Sequence, residues 1–408
     1  MARRSIACVA LLSLAAGGAR AGGLYISEFG TTLMGTASAG AQAYADDAST
    51  AFHNPAGMAR LDSHALMAGA GLLASDIRFD QDPATPVAGG NGGQQGSFAP
   101  ILSNSYVHSL TDRFKLGISL ISVSGAVLDP DNSWAGRFQL QEVTLLTLTA
   151  TPSLAVRLTD WLSLGAGANL MYARMSYKLA VPLLPGQVKL NQLDDFEPGF
   201  TVGALAELGP RTRFGALYVS KIEPDLSGDI RLGGFTGAVD TKIPLVQTVR
   251  TSLYHGLDDR WALLGSAGWE NWSDFGTQWV NTAGGAAPVP RHWKDTWYLA
   301  AGVHYRPQPR WLLQTGFKYD SSPVSSSNRT ADMPMDQQFR AAVGAQYRWS
   351  ERLTLGASFV YANYGEGQIN QTGANGLIGD YSSNNLFFFS LTIGYKWSPP
   401  GAEAALFQ

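Results

Sequence analysis

Residues 385–397 of this 408-residue chain read NLFFFSLTIGYKW, and apolar and polar side chains alternate along them. The apolar face comprises Phe387, Phe389, Leu391, Ile393, Tyr395 and Trp397, and the opposite face comprises Ser390, Thr392, Gly394 and Lys396. A period of two predicts a β-strand. Aromatic rings at the end of the apolar face are typical of a strand whose outer surface contacts lipid.

The same alternation recurs along the chain after residue 62. Clear examples are residues 297–305, 339–349 and 353–361, where the apolar face again begins or ends at Trp or Tyr. A water-soluble β-sandwich also alternates and is the alternative interpretation. These runs extend over about 10 to 13 residues, whereas strands of globular proteins most often have about 5 to 6. Their length favours strands that cross a membrane.

Short and long connections between these strands alternate along the chain. Short turns of similar composition lie at 111–114, 159–162, 209–211, 258–261, 308–311 and 350–353. Longer links lie at 81–96, 125–141, 181–196, 222–242, 274–293, 322–336 and 365–384. Outer-membrane barrels alternate tight periplasmic turns with long extracellular loops in this way.

These six turns and seven loops predict an all-β fold, a 14-stranded antiparallel transmembrane β-barrel over residues 64–397. The predicted strands are 64–80, 97–109, 113–124, 142–158, 161–180, 197–208, 212–221, 243–256, 260–273, 294–306, 310–321, 337–349, 352–364 and 385–397. The alternation is weakest in the strand at 243–256. An even strand number places both chain ends in the periplasm.

Composition excludes several classes of protein. Hydrophobic residues make up 45% of the chain, charged residues 15%, and the net charge is -3, which indicates no nucleic-acid partner. No apolar run approaches the roughly 18 residues of a transmembrane helix. The six histidines show no metal-ligand spacing, and no G-x-S-x-G elbow occurs. We therefore predict no catalytic residue, cofactor or metal, although a Ser/His pair assembled in space would make an outer-membrane enzyme.

The first 21 residues have the three parts of a secretory signal peptide. Arg3 and Arg4 precede a short apolar segment at 6–16, and Ala19-Arg20-Ala21 forms a cleavage site. The single cysteine, Cys8, lies inside this segment and is removed with it. The exported chain is therefore expected to have no disulfide and no Cys-based metal site.

The segment between the signal peptide and the first strand does not alternate. Residues 22–62 read GGLYISEFGTTLMGTASAGAQAYADDASTAFHNPAGMARLD. They are rich in small residues, contain the adjacent acids Asp46 and Asp47, and carry a turn signal at Asn54-Pro55. Such a segment before many strands predicts a plug, or hatch, at residues 22–63 inside the barrel lumen.

The hatch resembles that of the FadL/TodX (OmpP1) family of outer-membrane transporters for long-chain fatty acids and hydrocarbons. The shared motifs, in order, are Ser27-Glu28-Phe29, the small-residue run 35–40, Ala45-Asp46-Asp47-Ala48 and Asn54-Pro55-Ala56. A second match is residues 134–138 (WAGRF), followed by 164–167 (LGAG) and 172–174 (YAR). The motifs cover the hatch and the first third of the barrel. One departure is the tail at 398–408, which follows Trp397.

The resemblance implies a passive transporter in the bacterial outer membrane. Its hatch blocks the lumen, an apolar path crosses the barrel, and substrate leaves sideways into the bilayer through an opening at a kinked third strand. Long-chain fatty acids are the first expected substrates, and toluene-like aromatic or aliphatic hydrocarbons are the alternative. The expected partners are outer-membrane lipids, lipopolysaccharide and the barrel-assembly machinery, and the expected state is a monomer. An open porin is the distant alternative.

The kink of the third strand is predicted at residues 122–126, around Ser124 and Gly125. Glycine weakens a strand and often marks a bulge or bend. The alternative is that Gly125 merely begins the loop that leads to Pro130.

Polar hatch residues are predicted to fix the hatch to the wall. Asn54 and Pro55 would form a tight turn. Asp46 and Asp47 would accept hydrogen bonds from lumenal arginines, for which Arg250, Arg340 and Arg348 are the candidates. The alternative is a solvated pair of acids.

Two further sets of residues are candidates for contact with ligand. The apolar hatch residues Phe29, Leu33, Met34, Phe52 and Met58 would line a lipid pocket, or else anchor the hatch to the wall. Three cations near the predicted extracellular rim would meet a fatty acid carboxylate, or else lipopolysaccharide phosphates; they are Arg137, Arg174 and Lys178.

Overall fold

The computed structural model describes residues 30–122, 125–182 and 186–397. The predicted signal peptide, Glu28 and Phe29 of the hatch motif, Ser124 of the predicted kink and the tail at 398–408 lie outside the described residues. Within the described ranges, no helix has the length and apolarity needed to cross a membrane.

The fold is a closed antiparallel β-barrel. In chain order the strands are β1 (Ala65–Gln81), β2 (Phe98–Ser109), β3 (Phe114–Ile121), β4 (Gly125–Leu128), β5 (Glu142–Arg157), β6 (Leu162–Ala180), β7 (Gln187–Glu207), β8 (Thr212–Val219), β9 (Asp225–Leu232), β10 (Phe235–Lys242), β11 (Thr248–Gly256), β12 (Trp261–Glu270), β13 (Thr277–Thr282), β14 (Gly285–Pro290), β15 (Thr296–Tyr305), β16 (Trp311–Asp320), β17 (Gln338–Arg348), β18 (Leu353–Asn363), β19 (Ile369–Asn370) and β20 (Ile378–Lys396).

Fourteen of these strands form the wall when β3 and β4 are counted as two halves of one strand, which confirms the predicted barrel. Consecutive wall strands pair antiparallel around the ring, and β20 closes it by pairing with β1 from Ala65↔Lys396 to Gln81↔Gly379. Closure matters in a membrane because lipid cannot pair the backbone groups of an open sheet edge.

The two faces of β20 have the predicted polarity. Phe389 and Leu391 are about half exposed on the outer face, whereas Ser390 and Thr392 are buried inside. Rings are stacked at the barrel end that carries the short turns, for example Trp261 on Tyr305 with centroids 4.2 Å apart. An apolar outer band that ends in aromatic rings is the surface of a membrane-spanning barrel.

Several predicted loops are strands in the structure. β7 begins at Gln187 rather than 197 and β20 at Ile378 rather than 385, while β11 begins only at Thr248 rather than 243. The predicted loops 222–242 and 274–293 form the hairpins β9–β10 and β13–β14. Two-residue turns at Gly233-Gly234 and Ala283-Gly284 connect the strands of these hairpins, and φ is positive at Gly233 and at Gly285, the first residue of β14. They pair with the extended end of β7 and with each other, so the wall continues beyond the bilayer at the loop end.

The third strand is interrupted within the predicted kink. β3 pairs with both neighbours, and its last pairs are Ile121 with Ser103 of β2 and with Thr149 of β5. Pairing with β5 resumes at Gly125↔Leu146, so four steps along the third strand match three along β5. The register of pairing with β5 therefore shifts by one residue between Ile121 and Gly125.

The barrel wall has a gap beside β4. Among the described residues, β4 pairs with β5 alone, and residues 98–102 of β2 pair with β1 but not with the third strand. Above the gap the chains meet again, where the Asp129 amide donates to the Gln95 carbonyl at 2.9 Å. The two edges of this gap are therefore residues 98–102 and 125–128.

The described part of the hatch, residues 30–63, is buried inside the barrel. It contains three short helical segments, Thr32–Thr36, Thr50–His53 and Pro55–Arg60, of which only the second is α-helical. Its backbone is tied to the wall: the Gly40 amide donates to Ser266 Oγ at 2.9 Å, and Arg213 Nε donates to the Ala43 carbonyl at 3.0 Å. A fourth short helix, Trp272–Asp274, lies outside the hatch.

Glycines of the wall make room for the hatch backbone. A Cβ atom added at Gly215 would lie 1.9 Å from the Gln42 carbonyl oxygen, and one at Gly316 would lie 2.1 Å from the Thr36 carbonyl oxygen. Such distances cannot be tolerated without movement of the backbone. The small residues of the hatch and the bare glycines of the wall therefore allow one backbone to lie directly on the other.

We predict that Gly215→Ala loosens the hatch, because overpacking of about one methyl group costs roughly 1–3 kcal/mol. The mean ion conductance of the purified protein in a planar bilayer should rise above that of the wild type. The matched control is Gly394→Ala, on an inward-facing position where the nearest atoms to the added Cβ lie at 3.8 and 3.9 Å. Equal conductance in Gly215→Ala and wild type would contradict the account.

Candidate functional site

An apolar cavity of about 440 Å³ lies at the loop end of the barrel. It lies between wall strands β5, β6 and β7, the two hairpins, and the loop between β16 and β17. Its lining is mostly aliphatic or aromatic and includes Ile77, Leu128, Val143, Leu145, Met175, Tyr177, Val188, Leu190, Ile230, Ile243, Val280, Met333, Met335 and Leu386. A space of this volume and lining suits a hydrophobic ligand.

Two charged residues line this cavity, and they neutralise each other. Arg291 Nη1 and Nη2 contact Asp332 Oδ1 and Oδ2 at 2.9 and 2.8 Å, a bidentate pair in which both side chains are buried. Arg291 also donates to Gln278 Oε1 from Nε and Nη2, and from Nη1 to Thr330 Oγ1 at 2.6 Å. The cavity thus carries no net charge from its described lining.

The electrostatics of this pair favour the ionised form of both partners. Both residues lie in loops beyond the membrane-spanning strands. Burial alone would raise the pKa of the Asp332 carboxyl, but the Arg291 guanidinium outweighs burial and lowers that pKa below its usual value. A carboxyl with a depressed folded pKa stabilises the fold at neutral pH, and this contribution is lost as the pH falls through the folded pKa.

The cavity is continuous with the gap through packed apolar residues. β4, which forms one edge of the gap, contributes Leu128 to the cavity lining. Ala99 and Ile101 of β2, at the other edge, belong to one buried apolar cluster together with the cavity residues Leu145 and Met175. A hydrophobic ligand that moves from the cavity to the gap therefore stays among apolar side chains.

The cavity on the opposite side of the hatch has a charged rather than an apolar lining. A cavity of about 200 Å³ at the turn end is lined by charged side chains, namely Asp46, Asp47, Arg306, Arg310, Arg348, Glu351, Arg352 and Lys396. The hatch therefore separates an apolar chamber at the loop end from a charged one at the turn end.

This chain is similar to known proteins in both sequence and fold. A model of the family described as outer membrane protein transport protein (OMPP1/FadL/TodX) matches residues 12–396. The chain belongs to this family. It is therefore an outer-membrane transport protein rather than an enzyme, and the family predicted from its hatch motifs is confirmed.

Individual relatives are similar over almost their whole length. The long-chain fatty acid transport protein of Escherichia coli (strain K12) is 25% identical over 416 residues, which cover 89% of this chain and 92% of that protein. The crystal structure of a Pseudomonas aeruginosa FadL homologue matches with a TM-score of 0.85 at 23% identity, covering 92% of this chain and 100% of that one. The Ralstonia pickettii toluene transporter TbuX matches with a TM-score of 0.68 at 16% identity, covering 92% and 99%.

Asn54 holds two parts of the FadL-type hatch to each other and to the wall. It is fully buried, and its Nδ2 donates to the carbonyls of Gln42 at 2.8 Å and Ala204 at 2.9 Å. Its Oδ1 accepts from the Ala56 amide at 3.2 Å, and this caps the short helix that Pro55 begins. The Asn-Pro-Ala motif is thus a junction of three chain segments.

Asp46 connects the hatch to Arg213 of wall strand β8, whereas Asp47 accepts hydrogen bonds within the hatch. Asp46 Oδ1 lies 3.8 Å from both Arg60 and Arg213, while Asp47 accepts hydrogen bonds from Thr32 and Ser49. Arg60 also pairs with Glu207 of β7. The predicted partners lie elsewhere: Arg250 pairs with Glu270 and Arg340 with Asp320, and Arg348 lines the charged cavity. The sequence alone does not predict these ion pairs, because they depend on how the hatch folds.

The apolar hatch residues do not form the main cavity. Leu33 packs on Leu312, and Met58 packs among alanines and Val107 of the wall, so both anchor the hatch. Phe52 lines a small space of about 30 Å³. Met34 is buried in the apolar cluster that extends from the gap to the cavity, and Phe29 lies outside the described residues.

The three predicted rim cations are absent from the described lining of the cavity. Arg137 Nη1 donates to the carbonyls of Ala88 and Trp134, and Lys178 Nζ contacts Asn132 Oδ1 at 3.0 Å. Arg174 is exposed and lies opposite Asp194 in the sheet. They are therefore poorly placed to meet a carboxylate inside the cavity.

Sequence reasoning did not find Arg291 and Asp332. Both lie in long loops without alternation, 41 positions apart. Their bidentate contact depends on the fold of two loops, which no local pattern encodes. The loop of Asp332 also contains Arg329 and Asp336, so the sequence did not single out Asp332 as the partner of Arg291.

We predict that Asn54→Ala weakens the hatch by about 3 kcal/mol, because two buried carbonyls lose their donors. Amide hydrogen exchange in detergent micelles should become faster across residues 40–60 and stay unchanged in the wall strands. The control is Asn169→Ala, which removes an inward amide that accepts from Thr151 at 2.9 Å on the neighbouring wall strand. Unchanged exchange of the hatch in Asn54→Ala would contradict its role as a junction.

Proposed function

We propose that this protein takes up hydrophobic compounds passively across the outer membrane, with long-chain fatty acids and hydrocarbons as the candidate classes. The observation that carries the proposal is the apolar cavity above a hatch that fills the lumen, next to a gap in the barrel wall. A ligand would enter from the loop end, bind in the cavity and leave through the gap into the bilayer.

Lateral exit follows from the chemistry of the two chambers. A hydrophobic ligand that crossed the hatch would enter a charged, water-accessible cavity and would lose about 25 cal/mol for each Å² of apolar surface returned to water. A ligand that leaves between residues 98–102 and 125–128 passes from apolar side chains into lipid. The second route avoids that loss, so the gap is the proposed exit.

The hatch is proposed to remain in place during transport. Its contacts to the wall extend from β5 to β12, and lateral exit does not require that they break. We further propose that the protein works as a monomer that the barrel-assembly machinery inserts. The exposed cations Arg174 and Lys178 would then contact lipopolysaccharide phosphates at the loop end.

The ligand classes come from relatives with different named substrates. The Escherichia coli relative is named for long-chain fatty acid transport and the Ralstonia pickettii structure for toluene. The direct experiment is uptake of labelled oleate and labelled toluene by cells that lack their own lipophile transporter, with and without this protein. Faster uptake of either compound supports the proposal, and equal uptake of both with and without the protein overturns it.

We predict that Ala287→Trp reduces this uptake at least about threefold, because the indole fills the cavity at a lining position. Ala287 is exposed on the β13–β14 hairpin, so the larger side chain need not disturb the fold. The matched control is Ala286→Trp, at the neighbouring exposed position whose side chain is outside the lining. If both variants take up ligand at the wild-type rate, the cavity is not the transport site.

A further inference from the structure

The polar groups of the apolar cavity form a closed network around Arg291. A guanidinium has five N–H donors, and five hydrogen bonds account for them: two to Asp332, two to Gln278 and one to Thr330. Gln278 in turn donates from Nε2 to Thr241 Oγ1 at 3.0 Å. The cation that lines the cavity therefore has no N–H group left for a ligand.

Both partners of the ion pair are held away from water. The Arg291 and Asp332 side chains are 6% and 4% exposed. An anionic ligand in the cavity would have to displace Asp332 from Arg291 or remain without a counter-ion. Displacement of Asp332 would leave its carboxylate buried and unpaired. A ligand without a counter-ion would itself be a buried, unpaired anion. Either outcome is strongly unfavourable in a buried, apolar site.

Another buried arginine lies close by in sequence but is excluded from the cavity. Arg329 donates to the carbonyls of Met335, Gln368 and Val324 and pairs with Asp336 at 3.1 Å. It is absent from the described cavity lining. The loop between β16 and β17 thus carries the aspartates of two Arg–Asp pairs, of which only Asp332 lines the cavity.

We propose that Asp332 determines specificity: by occupying Arg291, it makes the cavity select ligands with an uncharged end group and reject carboxylates. This inference rests on the proposed function of the cavity as the ligand site. The favoured chemical class is a long or aromatic hydrocarbon, or a chain that ends in a neutral group such as an alcohol. A fatty acid enters this class in its protonated form.

The test compares two ligands with the same chain, 1-dodecanol and dodecanoate, on the purified full-length protein in one detergent at about pH 8, where the acid is ionised. Dissociation constants come from saturation with radiolabelled ligand. The measured quantity is the ratio of the two constants relative to the wild type, so that partition of the ligands into micelles cancels.

In Asp332→Asn, Arg291 becomes available, and the preference for dodecanol over dodecanoate should fall by about tenfold to a hundredfold, the range of one charge-assisted hydrogen bond. A gain of dodecanoate binding cannot arise from misfolding. The matched control is Asp336→Asn, which releases Arg329 outside the cavity and should leave the ratio unchanged. The double variant Arg291→Gln, Asp332→Asn should bind dodecanol and gain no affinity for dodecanoate.

The outcomes separate the inference from the function on which it rests. If the wild type binds dodecanoate as tightly as dodecanol, or if Asp332→Asn leaves the ratio unchanged, the inference is wrong while the cavity remains the ligand site. If the wild type binds neither compound, the proposed function of the cavity fails and the inference fails with it.

Discussion

The pairing of backbone groups across the wall is the constraint on which the rest of this structure depends. Lipid offers no partner to an amide or a carbonyl, so a sheet in the bilayer must close on itself. The ring from β1 to β20 meets this requirement. The gap beside β4 is therefore unfavourable for the free energy of the fold, and its retention is explained if the gap serves as the exit for substrate. The register with β5 shifts by one residue between Ile121 and Gly125, next to this gap.

The hatch divides the lumen of the barrel into two separate chambers. Contacts between its backbone and the wall glycines leave no space for a side chain at positions such as Gly215. We propose that the apolar chamber communicates with lipid through the gap, while the charged chamber lies at the turn end. In this proposal the difference in polarity between the two chambers sets the direction in which a hydrophobic ligand moves, without a moving part.

Sequence reasoning predicted the parts of this protein that depend on local pattern. The period-two alternation gave the wall strands, and the positions of the turns gave their number. The small residues and the Asn54-Pro55 signal placed the hatch, and the kink at Ser124 and Gly125 stays a prediction. Sequence reasoning failed for features that depend on which segments of the chain contact each other in the fold. The hairpins β9–β10 and β13–β14 were predicted as loops, since they pair only with other extracellular segments. The cavity was sought in the hatch because its apolar residues stood out locally, whereas the lining comes from many segments that each contribute from one to five side chains.

The central claim is that a hydrophobic ligand passes from the cavity through the wall gap and not across the hatch. Photo-crosslinking with a diazirine-bearing alkane in outer-membrane preparations, followed by mapping of the adducts by mass spectrometry, tests this route directly. The account predicts adducts on cavity residues such as Leu145 and Met175 and along both gap edges, 98–102 and 125–128. Adducts concentrated in the charged chamber, around Arg306 and Arg348, with none at the gap edges, would contradict it.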